Sequence, residues 1–156
     1  MLKTNRRPHS TRGEAGFTLI ELMVVVLIIG ILLSIAIPTF LGARTRSQDG
    51  VAKSSLRNAL TAANVIFTDN ESFSTADFRA MATAEGSLTY VDGARATTTA
   101  KNISVYATAT TWSAAAMSAS GNCFYIRATS TGGVTYGSAT RNCTGRAANG
   151  ARAAKW

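Results

Sequence analysis

Histidine is almost missing from this chain: His9 is the single one in 156 residues, and it lies in the leading stretch. If residues 1–16 are removed, nothing remains from which to build a Ser–His–Asp or Cys–His nucleophile or a histidine-based zinc site. Cysteine is limited to Cys123 and Cys143, with no CxxC pair, no glycine-rich phosphate loop and no convincing carboxylate dyad beside them. No catalytic role, cofactor or metal is expected. Aromatic residues make up only 8% of the chain, so its single small domain must lean on a packed helix, a disulfide and neighbouring copies. Acidic residues stop at Asp92, whereas Arg95, Lys101, Arg127, Arg141, Arg146, Arg152 and Lys155 follow. The outer part of the domain is therefore basic. Such a surface attracts phosphate-rich partners, which makes Arg127, Arg141, Arg146, Arg152 and Lys155 candidate nucleic-acid contacts, with Tyr125, Tyr136 and Trp156 as stacking faces. A contact with the acidic stretch 69–92 of a neighbouring copy competes with that reading.

The chain is rich, by contrast, in one apolar run, 17–43, with a single ionisable side chain, Glu21. At about 1.5 Å per residue, a helix starting at Phe17 crosses the ~30 Å hydrocarbon layer by roughly Pro38. A carboxylate at bilayer depth costs about 2.5–3.5 kcal/mol and calls for a partner. Cleavage after Gly16 would create one, an α-amino group on Phe17, in the same chain or an adjacent one. Thr18-x-x-Glu21 also has the spacing of a capping box, and the two roles can coexist. Residues 1–16 hold Lys3, Arg6, Arg7 and Arg12 against Glu14, three of the eight excess positive charges, as expected of a cytoplasmic flank. A competing reading is an ordinary secretory signal cut after Ser34-Ile35-Ala36. The mature N-terminus, Phe17 or Ile37, separates the two.

The hexapeptide Gly16-Phe17-Thr18-Leu19-Ile20-Glu21 and the unbroken apolar helix after it resemble the class III leader of type IV pilins and pseudopilins, over about the first third of the chain. The resemblance implies cleavage between Gly16 and Phe17 by a membrane-embedded prepilin peptidase, N-methylation of Phe17, and a filament with these helices at its core. Glu21 would neutralise the terminal amine of an adjacent subunit. It also implies that the segment from Gly30 to Pro38 can lose helicity as the subunit enters the filament; a mild kink is the plainer alternative, since Gly30 and Ser34 form a small-x-x-x-small pair and Pro38 removes a donor. The function implied is a structural subunit, a major pilin, of a surface filament for adhesion, motility or DNA uptake. Alternatives are a pseudopilin of a type II secretion system, a DNA-binding competence or minor pilin, and a secreted binding domain. The partners implied are other copies of the chain, the peptidase and methyltransferase, the assembly platform with its ATPase, and the membrane, with the head outside the cell and nucleic acid an open question.

The expected fold is α+β: a long N-terminal helix, membrane-spanning over 17–43 and amphipathic over 44–68, then a loop with a short helix over 69–87, then an antiparallel sheet over 88–156. Ala52, Leu56, Ala59, Leu60, Ala63, Ile66 and Phe67 fall on one helical face, with Lys53, Ser54, Arg57, Asn58, Thr61 and Asn64 opposite. Gly42 and Gly50 suggest a bend over 44–50. Thr75 is placed to cap a helix over 76–84, and Asp69, Glu71 and Asp77 offer a weak calcium alternative. Strands are expected at 88–91, 103–110, 112–119, 123–129 and 134–139, the second with a single apolar face, joined by short turns as a meander. The even cysteine count favours a Cys123–Cys143 bridge worth about 3 kcal/mol, like the disulfide-bounded C-terminal loop of many pilins, against two buried thiols.

Overall fold

The structure, a computed structural model, describes residues 16–156; the leader charges, His9 and the rest of the expected leader up to Ala15 lie outside the described residues. Helix α1 spans Leu19–Asn70. A 3₁₀ turn at Phe73–Thr75 and helix α2, Phe78–Ala84, follow. Strands β1 (Thr89–Asp92), β2 (Asn102–Ala107), β3 (Thr111–Met117), β4 (Cys123–Thr129) and β5 (Val134–Ala139) form one sheet in that order, and helix α3, Gly145–Ala148, comes last. The described residues divide into two separate units, 16–40 and 41–156, and each is described by itself.

In the first unit, α1 runs unbroken through Gly30 and Pro38. Hydroxyl groups are satisfied inward where the sequence thins the helical ladder: Ser34 Oγ donates to Ile31 O at 2.7 Å and Thr39 Oγ1 to Ala36 O at 2.8 Å. Every apolar side chain from Leu19 to Phe40 is exposed, from 75% at Leu19 to 48% at Val25.

In the second unit the helical assignment also continues across Gly42 and Gly50, so the bend expected over 44–50 does not interrupt it. The amphipathic reading holds: Ala52, Leu56, Ala59 and Ala63 are fully buried, with Leu60, Ile66 and Phe67 packed at the margin. They meet Ile103, Val105, Trp112, Ala114, Ala116, Phe124, Ile126 and Ala128, the alternate positions of β2, β3 and β4. The opposite face is covered too. Ala115, Cys123 and Tyr125 pack with Cys143, Ala148 and Ala151 of the C-terminal segment. Strand β2, expected to show water one of its faces, is therefore closed on both sides over Ile103, Ser104 and Val105, and it ends at Ala107 because Thr108 and Thr111 bond each other across the turn. Buried Ser104 and Ser113 carry their polar groups through this layer: Ser104 Oγ donates to Arg95 O at 2.6 Å and accepts from Gly145 N–H at 2.8 Å, and Ser113 Oγ donates to Gly145 O at 2.9 Å. A side chain at Gly145 would come within 2.6 Å of Tyr106 N, so α3 can lie on β2 only with glycine at its start.

Three strand pairings are antiparallel, as expected of a meander; β1 and β2 run parallel. The reason is the connection 93–101. Asp92-Gly93 does open a turn, with Arg95 N–H donating to Asp92 O at 2.8 Å, but the chain then continues along the covered face, where Thr97 N–H donates to Cys143 O at 2.8 Å, before it enters β2. A tight hairpin would have reversed direction; this longer return does not. The short helix also differs. Ser72 caps the 3₁₀ turn, and Asp77, not Thr75, caps α2, its Oδ1 accepting from Arg79 and Ala80 N–H at 2.9 Å each. Asp77 wins because its carboxylate reaches two free amides at once.

Candidate assembly and interaction sites

Helix α1 opens with a reciprocal cap. Thr18 N–H and Oγ1 donate to Glu21 Oε2 at 3.1 and 3.0 Å, and Glu21 N–H donates back to Thr18 Oγ1 at 3.2 Å. The box accounts for one carboxylate oxygen and leaves Glu21 exposed, able to accept further charge-assisted bonds. Gly16 and Phe17 precede the helix, and Phe17 is 86% exposed. Gly30 has no neighbouring atom within 4 Å of where a side chain would begin, so its small surface is open to close approach. The helix is long and apolar enough to cross a membrane.

The head carries the cations. Arg141, Arg146, Arg152 and Lys155 are exposed, whereas Arg127 is half-buried and donates from Nε to Asn149 Oδ1 at 3.2 Å. Arg152 turns onto the carbonyls of Asn149 and Ala151 at 2.8 Å each, and Arg146 lies over the Tyr106 ring at 5.7 Å. Of these five, Arg127 and Arg152 have donors spent on Asn149 and Ala151, Arg146 lies on a ring, and Lys155 lines a cavity with Lys53 and Arg57. Tyr125 is no stacking face. It is buried, its hydroxyl donates to the carbonyls of Arg141 and Asn142 at 3.1 and 2.9 Å, and burial raises its pKa. Trp156 is half-buried, its Nε1–H donating to Tyr125 O at 2.9 Å and its ring meeting Tyr136 edge-on at 4.5 Å.

Cys123 and Cys143 are bonded, with Cα atoms 5.5 Å apart, which ties the start of β4 to the segment that leads into α3. Among the described residues no group of three or more acidic, histidine or cysteine side chains gathers to hold a metal, so Asp69, Glu71 and Asp77 are not brought together as a calcium site.

Two features escaped the sequence. Lys53 and Arg57, assigned to the solvent side of the helix, sit over aromatic rings: Lys53 Nζ is 4.8 Å from the Phe124 centroid and Arg57 Cζ is 5.0 Å from that of Trp156. Asp49 clasps the turn between β3 and β4, accepting from Ser120 Oγ at 2.5 Å and from Asn122 Nδ2 at 3.4 Å. Partial burial pushes the Asp49 carboxyl up, but bonds from Ser120, Ser118 and Asn122 and the charge of Lys53 outweigh it, so its pKa lies below the ordinary 3.8. The Ser118-x-Ser120-x-Asn122 pattern was the available signal, yet nothing local points it at a residue about seventy positions earlier.

The prokaryotic N-terminal methylation motif family matches residues 11–37, the stretch that holds Gly16, Phe17, Glu21 and Gly30. The chain is 49% identical over 59 residues to the type IV major pilin protein PilA of Myxococcus xanthus, covering 38% of this chain and 27% of that protein. The chain is thus similar to type IV pilins over part of its length. The chain is also 42% identical over 62 residues to the type IV wide pilus major component PilA4 of Thermus thermophilus, covering 40% of this chain and 47% of that one. It is 33% identical over 66 residues to the type II secretion system core protein G of Aeromonas hydrophila, covering 42% and 46%. The matches thus span between about a quarter and a half of the length of these curated relatives. No solved structure matches the chain.

Proposed function

We propose that this chain is a structural subunit of a type IV pilus, a major pilin, held in the cytoplasmic membrane by residues 17–43 with its head outside, and polymerised through that helix into a surface filament. One observation carries the reading: a helix bearing the methylation motif leaves all its apolar side chains from Leu19 to Phe40 uncovered by its own chain. Each such side chain stabilises by about 1.5–3 kcal/mol when removed from water, so the segment demands a bilayer first and a bundle of like helices afterwards. The residues that act are Gly16 and Phe17 at the cleavage point, with N-methylation of Phe17, and Glu21, whose free oxygen receives the Phe17 amine of an adjacent copy and restricts register. Thr18 holds Glu21, and Gly30 and Pro38 set how closely and how flexibly the helices pack. The partners are further copies, a prepilin peptidase and methyltransferase, and an assembly platform with its ATPase. The chain is their substrate and building block, not a catalyst.

The test is direct. Mature protein should begin at Phe17, and Glu21→Ala should still insert in the membrane while sheared surface filaments fall to near background. Normal filament yield from that variant would remove the register role; a mature start at Ile37 would remove the pilus reading altogether. The type II secretion relative favours a second reading, a pseudopilin. Purified surface filaments in which this chain is the principal subunit separate the major pilin from it.

A further inference from the structure

Among the described residues, five of the seven Asp and Glu side chains are engaged within the chain. Glu21 accepts from Thr18, Asp49 from Ser120 and Asn122, Asp77 from the first amides of α2, Glu85 from Ser87 N–H and Asp92 from Ala94 N–H. Asp69 and Glu71 are the exceptions, exposed where α1 ends and without a hydrogen bond to either carboxylate. Glu71 sits in the left-handed region at φ 54, its N–H donating to Phe67 O at 2.7 Å, so the helix terminus offers its side chain from a fixed backbone.

The complement lies elsewhere on the same head. Lys53, Arg57 and Lys155 line a cavity of about 240 Å³ whose remaining walls are Tyr136, Ala154 and Trp156. No Asp or Glu side chain lines it. The aromatic rings hold the cations in place, with Lys53 Nζ 5.8 Å and Arg57 Cζ 5.0 Å from the Trp156 centroid, and Trp156 is itself pinned by its bond to Tyr125 O. Three cations around one small space repel each other, and an anion placed among them relieves that repulsion. The volume is below the ~300–1,000 Å³ usual for small-molecule sites and suits one or two acidic side chains.

Resting on the filament reading above, we infer that Asp69 and Glu71 of one copy seat in the Lys53–Arg57–Lys155 cavity of a neighbouring copy. The two surfaces are different patches of the head, separated by roughly 18–24 Å along α1. The contact is therefore heterologous, and it propagates from copy to copy instead of closing a dimer. It gives the heads a polar, salt-sensitive register in addition to that set by the buried helices.

The test uses the full chain in assembled filaments. Zero-length carbodiimide coupling, read by mass spectrometry, should join Lys53 or Lys155 to Asp69 or Glu71. About 24 Å of helix separates Lys53 from Asp69 within one copy, so such a link reports neighbouring copies. Asp69→Lys with Glu71→Lys should cut sheared filament yield at least about tenfold at an unchanged membrane level of the protein. Adding Lys53→Glu, Arg57→Glu and Lys155→Glu should restore it. Filaments of the unaltered chain whose Lys53 and Lys155 couple to other acids or to none, or a swapped variant no better than the single-sided one, would overturn the contact and leave the pilus reading standing. Absence of filaments from the unaltered chain would overturn both.

Discussion

Residues 17–40 and the remainder of the described chain obey opposite rules of burial. Along the anchor, apolar groups are exposed and the polar ones, Thr18, Glu21, Ser34 and Thr39, bond within the helix. In the head, apolar groups close on both faces of a five-stranded sheet, and polar groups either cross the core in pairs, as Ser104 and Ser113 do with Gly145, or stand at the surface unpaired, as Asp69 and Glu71 do. The head buries its apolar groups within itself; the apolar groups of the anchor stay exposed. An apolar substitution in the head should therefore be read out by folding, and one in the anchor by assembly.

The sharpest contrast is Trp112→Ala against Ile28→Ala. Trp112 is 0% exposed between α1 and the sheet, and its loss should cost the head about 3–5 kcal/mol in urea unfolding of the full chain in detergent. Ile28→Ala should leave that transition within about 0.5 kcal/mol and lower filament yield instead. A head destabilised by Ile28→Ala would break the division. Replacing Cys123 and Cys143 together by Ser should cost about 3 kcal/mol, because the bridge closes residues twenty apart in sequence. An unchanged midpoint would show that α3 and the C-terminal segment hold without it.

Acid should act on the head through Asp49. Its carboxyl is depressed in the folded state, so the stabilisation it gives is complete above the ordinary carboxyl value of 3.8 and is lost as pH falls through the lower folded value. Asp49→Asn should flatten this part of the stability–pH curve, measured by thermal unfolding between roughly pH 2 and 5. A curve of unchanged shape would mean the clasp to Ser120 contributes nothing to folding. The smallest effect is expected at Tyr90, whose hydroxyl is buried without a partner and whose pKa is raised by burial, with a smaller push from Glu85. Tyr90→Phe should be neutral or raise stability by up to about 1 kcal/mol, and a clear loss would reveal a hydrogen bond partner at that site.

Much of this contrast was legible in the residues. The capping box follows from a spacing of three between Thr18 and Glu21, and the face of Ala52, Leu56, Ala59 and Ala63 follows from helical periodicity, because both are local. Buried Ser55 broke the pattern, since a small hydroxyl fits against the sheet as easily as it meets water. The parallel β1–β2 pair was not legible: an Asp-Gly turn signal describes a few residues, whereas strand direction depends on where 93–101 is pinned by Cys143. Lys53 and Arg57 read as solvated because periodicity reports which side of a helix a residue takes, not that a tryptophan about a hundred residues later returns to that side.

Local spacing and composition by themselves determined the long apolar helix, its capping box and the helix-then-sheet order, since each depends on neighbours in the chain. Only the tertiary structure decided which carboxylates and cations are already committed. Hydrogen bonds such as Asp49 to Ser120 and ring contacts such as Arg57 to Trp156 join groups distant in sequence, and short-range physics gives no direction to interactions that fold geometry alone brings within reach.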